Sequence, residues 1–299
     1  MSELVSVNGA IFNPQEAKIS VYDRGFLYGD GVYEVTRSYG RVLFALEDHI
    51  DRLFRSAERV NLNVGFSKDQ LVKELYRVYD AANQDDIYMR VVITRGDSGG
   101  KINLDPNSSQ TPNIVIFIQE LPFFSPQVYR EGQDLITSTY LRNSKKALDP
   151  NVKSGNYLNN IMALGEAKRL KAFDAIMVNK DGFVTEGTTW NLFMVKNEVC
   201  ITAPDGADIL QGITRKHLRD LAKTNNIKWE ERFFTPDELK KADEAFSSSS
   251  IKEVMGIRSV DGVLIGGHGK PGPVTLKMAE IYKAHVKAYC QKHSEQKKQ

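Results

Sequence analysis

Lys153 is where the sequence places most chemistry within reach. In DPNVKSGNYLNN (149–160) a rigid Asp-Pro turn leads into it, and a helical pattern with Tyr157 leads out. An isolated lysine on a polar loop is ordinarily a solvated cation. It becomes a nucleophile toward carbonyls only where burial or neighbours favour the neutral amine. Four other places bear on that choice. Glu186, in VTEGTTWN (184–191), lies between apolar strand patterns, where a carboxylate is costly unless a cation faces it. It reads either as a strand-end glutamate in water or as the partner of a protonated heterocyclic nitrogen. Gly212-Ile213-Thr214-Arg215 opens a helical pattern, which suits ordinary capping by Thr214 or a set of backbone donors for an anion. FSSSS (246–250) is either a flexible loop or a second set of hydroxyl and amide donors to a phosphate. Arg52, in DHIDRL (48–53), is either a snorkelling rim residue or a fork for a phosphate.

The elements that must position these residues alternate between two periods. Strand patterns occur at 5–7, 41–44, 88–94 and 114–119. A helical pattern at 47–60 puts Ile50, Leu53, Phe54 and Ala57 on one face, and a second at 67–80 opens with Ser67 and Gln70 as a capping box. LPFFSP (121–126) continues neither kind of element, because its prolines remove donors and fix the backbone. Beyond it, strands at 175–178, 191–195 and 199–202 alternate with helices at 157–171, 214–225 and 274–291. The polar tail after Tyr289 is expected to fray. The predicted class is α/β (α+β), with a small N-terminal domain at 1–124, a linker at 125–136 and a larger C-terminal domain at 137–299.

Composition narrows the partners. Across 299 residues, 40 basic side chains face 38 acidic ones, for a net charge of +2. That balance supplies no field for nucleic acid or an anionic membrane. Cys200 and Cys290 lie far apart and match no metal spacing, so both read as thiols and no metal is expected. The first residues show no secretory pattern, and no apolar run approaches the roughly 20 residues of a membrane span. The expected location is the cytoplasm.

Six segments in order, DRGFLYGDGVYE (23–34), HIDRL (49–53), KSGNYLNN (153–160), TEGT (185–188), GITR (212–215) and SIKE (250–253), give the chain a clear likeness. It resembles the class IV, fold-type IV enzymes that use pyridoxal 5'-phosphate (PLP), nearly along its whole length. That family contains branched-chain aminotransferases, D-amino-acid aminotransferases and aminodeoxychorismate lyases. The resemblance implies a D-amino-acid aminotransferase-like fold with PLP between two domains, and a homodimer or higher homo-oligomer. It implies that Lys153 carries the cofactor and acts as the base, that Tyr157 bonds its phenolic oxygen, and that Glu186 pairs with its ring nitrogen. The phosphate would be held by Arg52, Ile213, Thr214 and Ser250, with Ile213 and Thr214 acting largely through backbone amides, and Gly212 and Ser249 would be further cofactor contacts. The family usually has threonine where Ser250 stands, which keeps the hydroxyl.

Substrate signals conflict. In YMRVVI (88–93), alternation puts Tyr88 and Arg90 on one face, and the branched-chain enzymes line their substrate pocket with a similarly spaced pair. The loop GDSGGKINLDP (96–106) also resembles theirs. It lacks the arginine and histidine two apart that trap a carboxylate in the D-amino-acid enzymes, with only Lys101 nearby. Against this, Tyr33 and Val35 resemble the D-amino-acid type, since the branched-chain group tends to have phenylalanine and glycine there. Tyr28, Tyr33, Tyr88, Arg90 and Ile251 are the implied substrate contacts. The expected reaction moves an amino group from an L-branched-chain amino acid to 2-oxoglutarate. A D-amino-acid aminotransferase is the alternative, and a lyase or a non-catalytic PLP carrier stands further off.

Overall fold

A computed structural model describes residues 3–109 and 111–296, and the chain divides into two units. The first comprises Met1–Pro122, Val152–Asn156 and Tyr289–Gln299. In chain order it holds β1 (Leu4–Val7), β2 (Ala10–Phe12), α1 (Arg24–Tyr28), β3 (Gly31–Tyr39), β4 (Val42–Leu43), α2 (Leu46–Arg59), α3 (Lys68–Ala82), β5 (Tyr88–Thr94) and β6 (Asn113–Gln119). The strands form one sheet in the order β2-β1-β6-β5-β3-β4. Alternation along β5 buries Met89, Val91 and Ile93 in a core shared with Ile50 and Leu53 of α2 and Leu71, Leu75 and Val78 of α3. Tyr88 and Arg90 therefore take the opposite face. The antiparallel register pairs Tyr33 with Val92, Val35 with Arg90 and Arg37 with Tyr88, so Tyr33, Val35 and Arg37 share that second face. The capping box at Ser67 and Gln70 forms as the sequence predicts.

The second unit comprises Phe123–Asn151 and Tyr157–Ala288. Its elements are α4 (Pro126–Glu131), β7 (Gln133–Thr137), α5 (Lys145–Leu148), α6 (Leu158–Arg169), β8 (Asp174–Val178), β9 (Val184–Gly187), β10 (Asn191–Lys196), β11 (Val199–Thr202), α7 (Ile213–Thr224), β12 (Lys228–Glu231), α8 (Pro236–Lys240), β13 (Glu244–Ser249), β14 (Glu253–Val260), β15 (Val263–Leu264) and α9 (Pro273–Gln296). The strand path runs β12-β11-β10-β13-β14-β7-β8-β9, and β9 returns to pair with β10. The sheet thus closes on itself, and the closing pair is Glu186 with Asn191.

Several expectations change here. The stretch 125–136, read as a linker, holds α4 and most of β7: Ser125 caps the helix and Pro126 takes its first position, where no donor is missed. Residues 152–156 fall with the first unit although both chain neighbours belong to the second. The serine run at 246–250 is mostly strand β13, not a loop. The segment after Tyr289 continues α9 through Gln296, where Tyr289 packs edge-on against Phe44 (4.9 Å) and stacks on His293 (3.9 Å); Lys297, Lys298 and Gln299 lie outside the described residues.

Candidate active site

In the first unit the main chain of Lys153 is tied to β3. Tyr33 N–H donates to Lys153 O at 2.8 Å, Gly155 N–H to Gly31 O at 3.0 Å, and Lys153 N–H to Ser56 Oγ at 3.2 Å. Gly29 caps α1 at φ 67°, where a side chain is strained. A Cβ there would also come within 2.9 Å of Asn156 Oδ1, while Asn156 Nδ2 donates to Gly29 O. Backbone and glycine together fix the segment that presents the lysine. Its half-buried amine donates to Tyr33 Oη at 3.3 Å and lies 4.4 Å from the Tyr33 ring centroid. The guanidinium of Arg90 sits over the same ring at 4.1 Å. Tyr88, Arg90 and Tyr33 thus share one sheet face with the amine beside them.

Arg52 is buried rather than at a rim, and it is bound to a carboxylate. Its Nε and Nη2 donate to Glu34 at 2.5 and 2.9 Å, and His49 Nδ1 lies 2.8 Å from the same carboxylate. Burial pushes the Glu34 carboxyl up, but the Arg52 charge and the bonds from Arg52 and His49 outweigh it and hold it well below the usual carboxylate range. Burial lowers His49, and Glu34 opposes that shift; Arg52 and Lys153 reinforce it. At least two of the five N–H donors that a guanidinium carries are directed at Glu34, so Arg52 is engaged by a carboxylate where a phosphate contact is expected of it. Tyr28 has a buried hydroxyl without a partner among the described residues. Beside it, Arg24 fixes the loop expected to shape the substrate site, donating to the carbonyls of Asn103, Leu104 and Asp105.

In the second unit Glu186 is buried on β9 within a full set of donors. Arg142 Nε and Nη2 approach Oε1 at 3.0 and 2.9 Å; Asn191 Nδ2 and Leu210 N–H approach Oε2 at 3.2 and 3.1 Å. All four donate, which suits an ionised carboxylate. Asn191 also donates to Leu210 O at 2.9 Å, so it ties Glu186 to the approach of α7. Gly212 caps that helix, and Ile213 and Thr214 form its first turn, whose amides have no helical acceptor. A Cβ at Gly212 would fall 1.9 Å from Asn191 Oδ1, so only glycine fits. Arg215 anchors the helix through Asp205 and Glu231, both at 3.0 Å. In the register of the sheet, Asn191 faces Ser248, whose buried hydroxyl has no partner among the described residues. Ser249 follows, its Oγ accepting Lys252 N–H at 3.1 Å, and Ser250 and Ile251 form the turn out of β13. Tyr157, half-buried, is the N-cap of α6.

These residues fit PLP. An amine suits its aldehyde and a buried carboxylate its ring nitrogen. The first turn of α7, which has no side-chain cap, and the hydroxyls of Ser249 and Ser250 suit its phosphate. Glu34, His49, Arg142 and Asn191 were not singled out from sequence. Glu34 and His49 sit at the ends of two of the family-like segments and Asn191 lies five positions from Glu186, whereas Arg142 stands 44 positions from it and no local pattern marks it.

Known proteins give the same direction. The model for amino-transferase class IV matches residues 31–260. A putative branched-chain-amino-acid aminotransferase of Methanocaldococcus jannaschii is 36% identical over 279 residues, covering 93% of this chain and 95% of that protein. A D-alanine aminotransferase of Bacillus licheniformis is also 36% identical, covering 91% and 93%. Among solved structures, the branched-chain amino acid aminotransferase of Escherichia coli superposes with a TM-score of 0.88 at 30% identity, over 94% of this chain and 93% of that one. The branched-chain amino acid aminotransferase of Thermobaculum terrenum, solved in its PLP form, superposes at 0.85 and 26% identity, over 96% and 94%.

Proposed function

The chain belongs to the class IV aminotransferases and is a PLP-dependent transaminase, and from that premise we propose that it transfers the amino group of L-branched-chain amino acids to 2-oxoglutarate. The observation that carries this reading is the wall made by Tyr88, Arg90 and Tyr33 beside the Lys153 amine. It offers aromatic surface for an apolar side chain and a fixed cation for a carboxylate. The loop at 96–106 has no arginine–histidine pair to bind a carboxylate in its place.

When bound, PLP supplies an electron sink for the negative charge that develops on the substrate α-carbon. The remaining work falls to this chain. Lys153 Nζ would hold the cofactor until the substrate's amine displaces it; the freed amine would then take the proton from the substrate α-carbon and deliver it to the carbon that was the cofactor's aldehyde. Glu186, held among donors from Arg142 and Asn191, would favour a protonated ring nitrogen. Tyr157 bonds the phenolic oxygen. The amides of Ile213 and Thr214 beyond Gly212, the hydroxyls of Ser249 and Ser250, and Arg52 hold the phosphate. Tyr28 and Ile251 complete the substrate contacts.

Exposed apolar side chains at Phe26, Ile102 and Leu104 in one unit, and at Leu158 and Ile161 in the other, support a homodimer. Light scattering of the purified holoenzyme checks it. Incubation with 2-oxoglutarate and either L-leucine or D-alanine, following keto acid and glutamate, tests the specificity. Turnover of L-leucine is the expected result. Turnover of D-alanine without L-leucine replaces the reading with the D-amino-acid one, which the tyrosine at position 33 and the Bacillus relative favour.

A further inference from the structure

The turn that carries Ser249, Ser250 and Ile251 ends on a buried charge with no part in the chemistry above. Lys252 Nζ lies 3.2 Å from Asp174 Oδ2. It is ringed by Phe173, Trp190 and Phe124 at 5.1, 5.8 and 6.0 Å. Burial draws its ammonium below the ordinary lysine range, and Asp174 opposes that shift. Asp174 is itself fully engaged, accepting from Trp190 Nε1 at 2.8 Å and Thr188 Oγ1 at 2.7 Å. Both donors belong to the turn between β9 and β10, just past Glu186. Gly187 N–H closes that turn on Trp190 O at 2.8 Å, and a Cβ on Gly187 would meet the indole at 1.9 Å. The main chain of Lys252 closes the other turn: its N–H donates to Ser249 Oγ, and its carbonyl accepts from Tyr129 Oη at 3.2 Å.

A buried ion pair contributes little net stability, because desolvation offsets its attraction, and an apolar pair of like volume serves as well. What a charge pair inside a satisfied network adds is one fixed arrangement. Here it joins the turn after Glu186 to the turn of Ser249 and Ser250. We propose that Lys252 is a positioning residue for the cofactor phosphate, acting through Asp174 to hold the Ser249–Ser250–Ile251 turn at a set place relative to the Glu186 strand. This rests on the reading that Ser249 and Ser250 hold the phosphate.

The test titrates apoprotein with PLP and with pyridoxal, which lacks the phosphate, and records apoprotein melting beside both. Lys252→Met is expected to lower the PLP-to-pyridoxal affinity ratio roughly tenfold, the scale on which losing an outer partner loosens a held group, with pyridoxal binding changed less than about twofold. Lys252→Gln, which still donates to Asp174, is expected to lie between wild type and methionine, and it serves if the methionine variant does not fold. Ser250→Ala is the control for the underlying reading. A lowered ratio in Ser250→Ala with a wild-type ratio at position 252 overturns the inference and leaves the phosphate reading standing. A wild-type ratio in Ser250→Ala overturns that reading and the inference with it. Equal losses for both ligands make Lys252 a purely structural residue and overturn the inference.

Discussion

Replacing Glu34 by glutamine isolates the buried cluster beneath β3. The side chain keeps its shape and loses its charge, so Arg52 and His49 face an amide while remaining buried. Removing one partner of a buried pair costs about 3–5 kcal/mol, because the other charge is left without compensation. Near the melting point that corresponds to a fall of roughly 10 °C, at about 3 °C per kcal/mol for a domain of this size. Glu74→Gln sets the contrast. Its ion pair with Arg77 lies on the surface of α3, with the arginine side chain 47% exposed, and such pairs contribute about 0–1 kcal/mol. Differential scanning calorimetry of the two apoproteins against wild type reads both. The pH dependence adds an independent signature. Folding holds Glu34 far below its unfolded value of 4.5, so its contribution is complete above that value and fades as pH falls through it toward the folded pKa. The gap between wild type and Glu34→Gln should therefore be constant from about pH 6 to 8 and narrow below about pH 4.5. A Glu34→Gln protein that melts within about 2 °C of wild type at pH 7 would show that the buried cluster contributes no more than a surface pair.

Gly212→Ala sets its Cβ against Asn191 Oδ1, and overpacking of this kind costs about 1–3 kcal/mol; weaker PLP binding by titration is the expected reading, because Asn191 must leave Glu186 or Leu210. Arg142→Met leaves Glu186 with neutral donors alone and should destabilise the apoprotein by about 3–5 kcal/mol, measured in urea. Tyr33→Phe removes one hydrogen bond to Lys153 and keeps the ring face, so thermal unfolding should register only about 0.5–1.5 kcal/mol, with Lys153→Ala as reference for lost activity.

The elements that announce themselves locally were legible. Strand β5, the capped helix α3 and strand β11 have one apolar period each and sharp punctuation, and the sequence places them within a residue or two. Lys153, Glu186 and the Gly212–Thr214 turn stood out because each lies in a short motif. Strand β3 did not. Glu34, Thr36 and Ser38 interrupt its apolar face, and they are tolerated only because Arg52, His49 and the main-chain groups near Phe44 and Asp85 satisfy them. The same cause hid Arg142. A buried polar residue is chosen by a partner that only the folded chain brings near, as Arg142 and Glu186 show across 44 positions. The serine run left its element open for the opposite reason, since small hydroxyls suit a loop as well as closely packed β13 against β10 and β14.

Covalent mapping decides whether Lys153 is the residue that holds the cofactor. The holoenzyme is reduced with borohydride, digested, and its peptides weighed for the phosphopyridoxyl addition. The expected result is that addition on the peptide containing Lys153, with the visible absorption of bound cofactor absent from Lys153→Ala. The addition on any other lysine, Lys252 included, or an unchanged spectrum in Lys153→Ala, contradicts it.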